Sequence, residues 1–259
     1  MAHVRLMAAK LLAGNRGLAV QCYLVTVTSR SSKGCKVVAK KVQPRLTPNL
    51  IETDRDIEAG VAALTRVCPH MARAATVAGR PPLRRWSPGF DGVVRIVVGQ
   101  QLSVASADAI LRRLHQTVAP LEPATVLAAE DGALRAAGLS AGKLATLKAL
   151  AAAVARGDID FEHMGQASPS IVHERLTAVR GIGPWTADIY LVLCRGDRDA
   201  FAAGDLALQV AAQDLMGLDE RPSAAELLII AQRWQPWRGV AARLLWSYYA
   251  ARKADKSRV

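Results

Sequence analysis

From residue 51 onward the chain is a series of short apolar-periodic segments cut by glycine and proline. That pattern restricts the fold more than any other feature. Thr53-Asp-Arg-Asp56 can cap a helix carrying Ile57, Val61, Leu64 and Val67, stopped after Cys68 by Pro69. Segments with apolar residues three and four apart follow at 71–78, 90–98, 103–118, 123–129, 131–137 and 141–156, and then at 170–179, 184–194, 206–216, 223–233 and 237–252. No convincing strand pair follows residue 50; the one strand-like run, 21–28, precedes it. The expected class is all-α, with roughly ten short helices and no internal repeat.

The length of 259 residues allows one large domain or two small ones, with ample material for a core. A composition that is 51% hydrophobic and 22% charged excludes disordered, collagen-like and disulfide-scaffold chains. The net charge of +12 points toward nucleic acid, but its distribution matters more than its total. Residues 1–50 hold nine basic side chains (Arg5, Lys10, Arg16, Arg30, Lys33, Lys36, Lys40, Lys41, Arg45) and no acid. The last nine residues hold Arg252, Lys253, Lys256 and Arg258 against Asp255. Residues 51–249 are therefore neutral by count, with 21 basic and 21 acidic side chains. Any nucleic-acid role of the body must rest on particular residues or on a local face.

Cys22, Cys35, Cys68 and Cys194 form no close metal spacing, so neither a zinc site nor an iron–sulfur cluster is expected. Scattered single cysteines suit a reducing cytoplasm. No apolar run reaches the length of a membrane span; the best, 11–27, is broken by Asn15, Arg16, Gly17 and Gln21. Residues 1–48 stand apart from the rest. They read as a basic, poorly ordered extension, as an acid-poor transit peptide, or as a stretch upstream of the true start. The first and third readings are preferred.

The segment Leu176-Thr-Ala-Val-Arg-Gly-Ile-Gly-Pro-Trp-Thr-Ala187 carries most of the chemistry. A helix ends near Val179, a tight turn holds Gly181 and Gly183, and Pro184 suits the first turn of a second helix. Amides of such a turn and of the new helix N-terminus point outward and can hold a phosphate. Taken alone, the element is also compatible with a plain helix–turn–helix connector. Eighteen residues beyond Gly183 comes Phe201-Ala-Ala-Gly-Asp205, followed by the apolar helix that Leu206 opens. Asp205 sits where an N-cap belongs, worth about 1 kcal/mol as a cap alone. It is also a carboxylate presented at a helix start near an anion-binding turn.

Together these residues resemble the helix-hairpin-helix DNA glycosylases, and most closely the bacterial 3-methyladenine DNA glycosylase II type. The resemblance covers about 51–259. Val97-Val-Gly-Gln-Gln-Leu-Ser-Val104 is similar to that type's GQxxSV element, and Gly181-Ile-Gly-Pro-Trp-Thr-Ala187 to its hairpin. Trp234-Gln-Pro-Trp-Arg238, with Trp246 after it, resembles its WxPWR element. The fold it implies is two helical subdomains with a cleft between them: 91–200, and 49–90 joined with 201–252. The N-terminal α/β domain of that type is missing, so the chain resembles a compact form.

The resemblance also implies roles. Asp205 matches the catalytic aspartate, which stabilises oxocarbenium character on the sugar and orients water as the N-glycosidic bond breaks. Trp185 and Trp246 match the tryptophans of the base pocket. Aromatic faces favour a cationic alkylated purine by about 0.5–2 kcal/mol. Trp234 and Trp237 read better as core. Gln101 matches the wedge that fills the gap left by a flipped nucleotide. Gln100 either faces the pocket or caps the helix starting at Ser103. Amides of Gly181, Gly183 and Thr186 match phosphate donors, with Arg180 adding positive field. Backbone carbonyls of Thr177, Val179 and Gly181 match those that hold a monovalent cation, sodium or potassium; no other cofactor is implied.

Trp185 stands where lyase members carry a Schiff-base lysine, and no lysine lies between Lys148 and Lys253. This implies a monofunctional enzyme without AP lyase activity. A pocket tyrosine of the closest type is Ile189 here, and the neighbouring Tyr190 should point elsewhere. The implied partner is double-stranded DNA with a damaged base, met by a monomer in a bacterial cytoplasm, at the nucleoid. Two alternatives stay open: a glycosylase for deaminated or oxidised bases, and a non-catalytic hairpin module in which Asp205 is only a cap.

Overall fold

A computed structural model describes residues 49–256 together with the two short strands Leu24–Val25 (β1) and Ala39–Lys40 (β2). These strands pair antiparallel, with Leu24 opposite Lys40 and Val25 opposite Ala39. The remaining expectations for residues 1–48 lie outside the described residues.

The rest is helical. The described helices are α1 (Asp54–Val67), α2 (Pro69–Ala78), α3 (Phe90–Gly99), α4 (Val104–Thr117), α5 (Pro123–Ala128) and α6 (Asp131–Ala136). They continue with α7 (Ala141–Ala155), α8 (Phe161–Gln166), α9 (Pro169–Thr177), α10 (Pro184–Ile189), α11 (Leu206–Met216), α12 (Ala224–Ala231) and α13 (Arg238–Lys256).

Local chemistry accounts for most boundaries. Thr53 and Asp56 cap each other's backbone in a capping box at the start of α1. Pro69 does end α1, but it also opens α2: its missing N–H is harmless in a first turn. Segment 184–194 is α-helical only to Ile189 and continues as a π-helix, Tyr190–Arg195. There Leu191 O accepts from both Gly196 N and Asp197 N. The side chains of Arg195 and Asp197 are buried and meet at 2.6 Å, and the Arg195 guanidinium also donates to the carbonyls of Met164 and Ala167. Buried charges persist when paired and hydrogen-bonded in this way.

Helix packing falls into two groups. One holds α1, α2, α11, α12 and α13; the other holds α3 to α7 with α9, α10 and the π-helix. The buried aliphatic side chains form one core cluster, with Ile57, Leu64 and Leu208 on helices of the first group and Leu114, Leu147 and Leu176 on helices of the second. Trp234 is fully buried and meets Phe201 edge-on, while Trp237 is half-buried beneath the Arg198 guanidinium. Both serve packing.

Candidate active site

Asp205 is the N-cap of α11: its Oδ1 accepts from Leu208 N at 3.1 Å. The short apolar Phe201–Ala203 run behind it is buried and sets the start of the helix. The same Oδ1 accepts from Trp246 Nε1 at 3.0 Å, and Oδ2 accepts from Trp185 Nε1 at 3.0 Å. One indole comes from α10 and the other from α13. Both oxygens act as acceptors, which is how an ionised carboxylate bonds.

The three side chains line one cavity of about 400 Å³, between the two helix groups. Ile189, Ile96, Leu102 and Tyr249 add apolar and aromatic wall. Trp86 and Arg95 stand in the same wall; the guanidinium lies 5.1 Å from the ring centroid and donates to Asp108 at 2.9 Å. A negative carboxylate in a mostly apolar cleft can stabilise positive charge developing beside it more strongly than it could in water.

The hairpin turn lies between α9 and α10. Gly181 has φ +87, and a Cβ there would overlap the Thr146 hydroxyl of α7, so glycine is required by the protein itself. Gly183 has φ −91 and open space around its missing Cβ. Nothing in the protein demands glycine at 183, and both residues are exposed. Arg180 is exposed beside them. His173 of α9 and Asp188 of α10 face each other at 3.5 Å. Burial pushes Asp188 up to about 6, partly opposed by His173.

The loop between α3 and α4 carries Gln101, exposed and at φ +56. A non-glycine residue in this region is sparsely populated and is held there by its surroundings. Leu102 beside it is 42% exposed and reaches the cavity wall. Val104, 77% exposed, opens α4 and also lines the cavity.

A family model described as "HhH-GPD superfamily base excision DNA repair protein" matches residues 94–236. The chain belongs to the HhH-GPD superfamily. Its HhH-GPD relatives include DNA-3-methyladenine glycosylase 1 of Schizosaccharomyces pombe, 30% identical over 161 residues, which are 61% of this chain and 71% of that protein. A Mycobacterium tuberculosis protein described as "Probable bifunctional transcriptional activator/DNA repair enzyme AlkA" is 44% identical over 73 residues. That stretch is 28% of this chain and only 14% of the length of the mycobacterial protein. The S. pombe glycosylase Mag1, solved in complex with abasic DNA, superposes with a TM-score of 0.69 at 27% identity, over 73% of this chain and 95% of that one. A DNA-3-methyladenine glycosidase from Bacillus halodurans superposes at 0.65 with 30% identity, over 80% and 94%.

Within the HhH-GPD region the structure brings Asp205, Trp185 and Ile189 into one cavity, with Trp246 joining from α13. Gln100 corrects the reading that placed it in the pocket or at the cap of α4. It lies outside the cavity walls, and its Nε2 donates to Thr186 Oγ1 at 2.9 Å. Ser103 caps α4 with its own hydroxyl, which accepts from Ser106 N. Thr186 is buried beneath this contact. Tyr190 turns away from the cavity; its hydroxyl accepts from Gly89 N. Sequence reasoning missed Trp86, Arg95, Asp108 and Tyr249. Tyr249 had a signal, lying three residues after Trp246 on one helix. The other three come from segments with no motif.

Proposed function

We propose that the chain is a DNA glycosylase that releases alkylated purines, chiefly 3-methyladenine, by flipping the damaged base into the Asp205 cavity. One observation carries this reading: a carboxylate held by two indole N–H groups in a mostly apolar cleft, in a chain of a base-excision family. Bond cleavage leaves positive charge on the sugar, and Asp205 stabilises it and orients the attacking water. An alkylated purine leaves readily because it is already cationic, so a single carboxylate suffices. The rings of Trp185, Trp246 and Tyr249 offer aromatic surface to such a cation.

Gln101 fills the vacated stack, while the Gly181, Gly183 and Thr186 amides hold the backbone phosphate. The Thr177 and Gly181 carbonyls accept no backbone hydrogen bond among the described residues, and Val179 O accepts one from Ile182 N. Carbonyls have two lone pairs, so all three keep acceptor capacity for a monovalent cation, which would neutralise phosphate charge. No other cofactor is needed, and release in the presence of a chelator tests that.

The reaction ends at the abasic site. Among the described residues no lysine lines the cavity, and the resemblance puts Trp185 at the position of the Schiff-base amine of lyase members. The enzyme works as a monomer on duplex DNA in the bacterial cytoplasm, at the nucleoid. The experiment is to incubate the purified protein with methylated duplex DNA, identify any free base by mass, and assay the strand for cleavage. Free 3-methyladenine with an intact strand is expected. Release of only oxidised or deaminated bases, or strand scission coupled to release, would overturn the assignment.

A further inference from the structure

Lys143 lies in the first turn of α7, far in sequence from every motif discussed above. Its Nζ donates to Val98 O at 2.7 Å and to Gln100 O at 2.9 Å. These carbonyls belong to the last turn of α3 and its C-cap, where helical acceptors go unpaired and partial negative charge gathers. Neighbouring amides do not relieve them: Gln100 N bonds Val97 O, and Leu102 N bonds Gly99 O. One ammonium thus supplies both missing donors immediately before Gln101, the residue held at φ +56.

A second clamp acts on the same loop. Gln100 Nε2 reaches Thr186 Oγ1 on α10. Helix α7 also touches the hairpin turn, since Thr146, one turn after Lys143, packs directly against Gly181. The start of α7 therefore holds the wedge loop and the hairpin in a fixed relation. Burial lowers the affinity of the Lys143 amine for its proton.

We infer that Lys143 is a positioning residue for base flipping: it pins the α3–α4 loop so that Gln101 enters the stack at a set depth and angle. This rests on the glycosylase reading above. It assigns Lys143 no part in bond cleavage. A lysine serving only as a phosphate contact would instead weaken binding to every DNA, with a matching loss of salt dependence.

The test compares Lys143→Met with the wild type under single-turnover conditions at saturating enzyme. The substrates are a methylated duplex and the same strand alone. Flipping out of a stack is needed only in the duplex. Duplex release should fall about tenfold or more, since misplacement near a reacting group costs up to about 10²-fold. Single-stranded release should stay within about twofold, the chemical step being untouched. Lys143→Arg keeps a charged donor and should retain more duplex activity than Lys143→Met. Equal losses on both substrates, an unchanged duplex rate, or a Lys143→Met protein that does not fold would each overturn the inference. Amide exchange over residues 100–103 gives a readout independent of activity: faster exchange is expected in Lys143→Met, and unchanged exchange overturns the inference. A wild type that releases no base from either substrate would instead count against the glycosylase reading.

Discussion

Trp185 Nε1 donates to Asp205 Oδ2 at 3.0 Å, joining the helix that follows the hairpin to the helix that presents the carboxylate. The contact sets the direction of the carboxylate as well as lining the cavity. Trp246 grips the other oxygen, so neither can rotate freely.

Asp205→Asn should abolish most base release, by about 10²-fold or more, the scale of losing one preorganised electrostatic partner. Asn keeps the N-cap acceptor for Leu208 N, but its amide N–H₂ would face the Trp185 indole donor, so a loss of about 1–3 kcal/mol in stability is expected. Single-turnover release measured beside thermal melting separates the two effects. A variant with full activity would remove Asp205 from the chemistry.

Trp185→Phe keeps an aromatic surface but deletes the N–H that holds Oδ2. We expect release to fall by about 10- to 10²-fold, in line with a lost hydrogen bond to a charged group of about 1.5–3 kcal/mol. DNA affinity should change little. If kcal-scale losses appear in binding instead, the indole serves the DNA more than the carboxylate.

The two hairpin glycines should separate stability from binding. Gly181→Ala places a Cβ against Thr146 at a positive φ and should destabilise the fold by about 1–3 kcal/mol in urea melts. Gly183→Ala meets open space and should melt like the wild type. Its added methyl should weaken duplex binding, measured by fluorescence anisotropy. Unchanged affinity in Gly183→Ala would mean that DNA does not approach the backbone there.

Asp188 makes stability depend on pH. Its folded pKa is raised from 3.8 to about 6, chiefly by burial, with His173 opposing. The folded state therefore binds a proton more tightly than the unfolded chain. Stability falls as pH rises from about 4 to about 6 and stays lower above that window. Asp188→Asn should flatten this decline and raise the melting temperature at pH 7 relative to wild type. A wild-type melting profile that is level between pH 4 and pH 6.5, with His173 present, would contradict it.

Much of this site was legible in the linear chain, because it is built from local rules. Thr53 caps α1, Asp205 caps α11 and Pro184 opens α10, and each follows from one residue type at one helix end. Segment 206–216 matches α11 from end to end. Helix α8 escaped notice because six residues with few apolar positions give no period to read. The π-helical stretch was invisible for another reason: the buried Arg195–Asp197 pair and the doubly used Leu191 carbonyl, not propensity, hold that geometry.

Gln100 shows the limit most clearly. Its neighbours marked the loop as functional, yet its side chain bonds Thr186, 86 residues away. Sequence by itself determined the all-helical class, the glycine turn, the carboxylate at a helix start and the lack of a lysine between Lys148 and Lys253. Those depend on backbone preferences and on spacing within a few residues. Only the tertiary structure decided which ring edges grip Asp205, which side chains complete the cavity, and that Lys143 pins the loop before Gln101. Such contacts arise where helices distant in sequence pack, and side-chain direction across an interface has no local periodic signature.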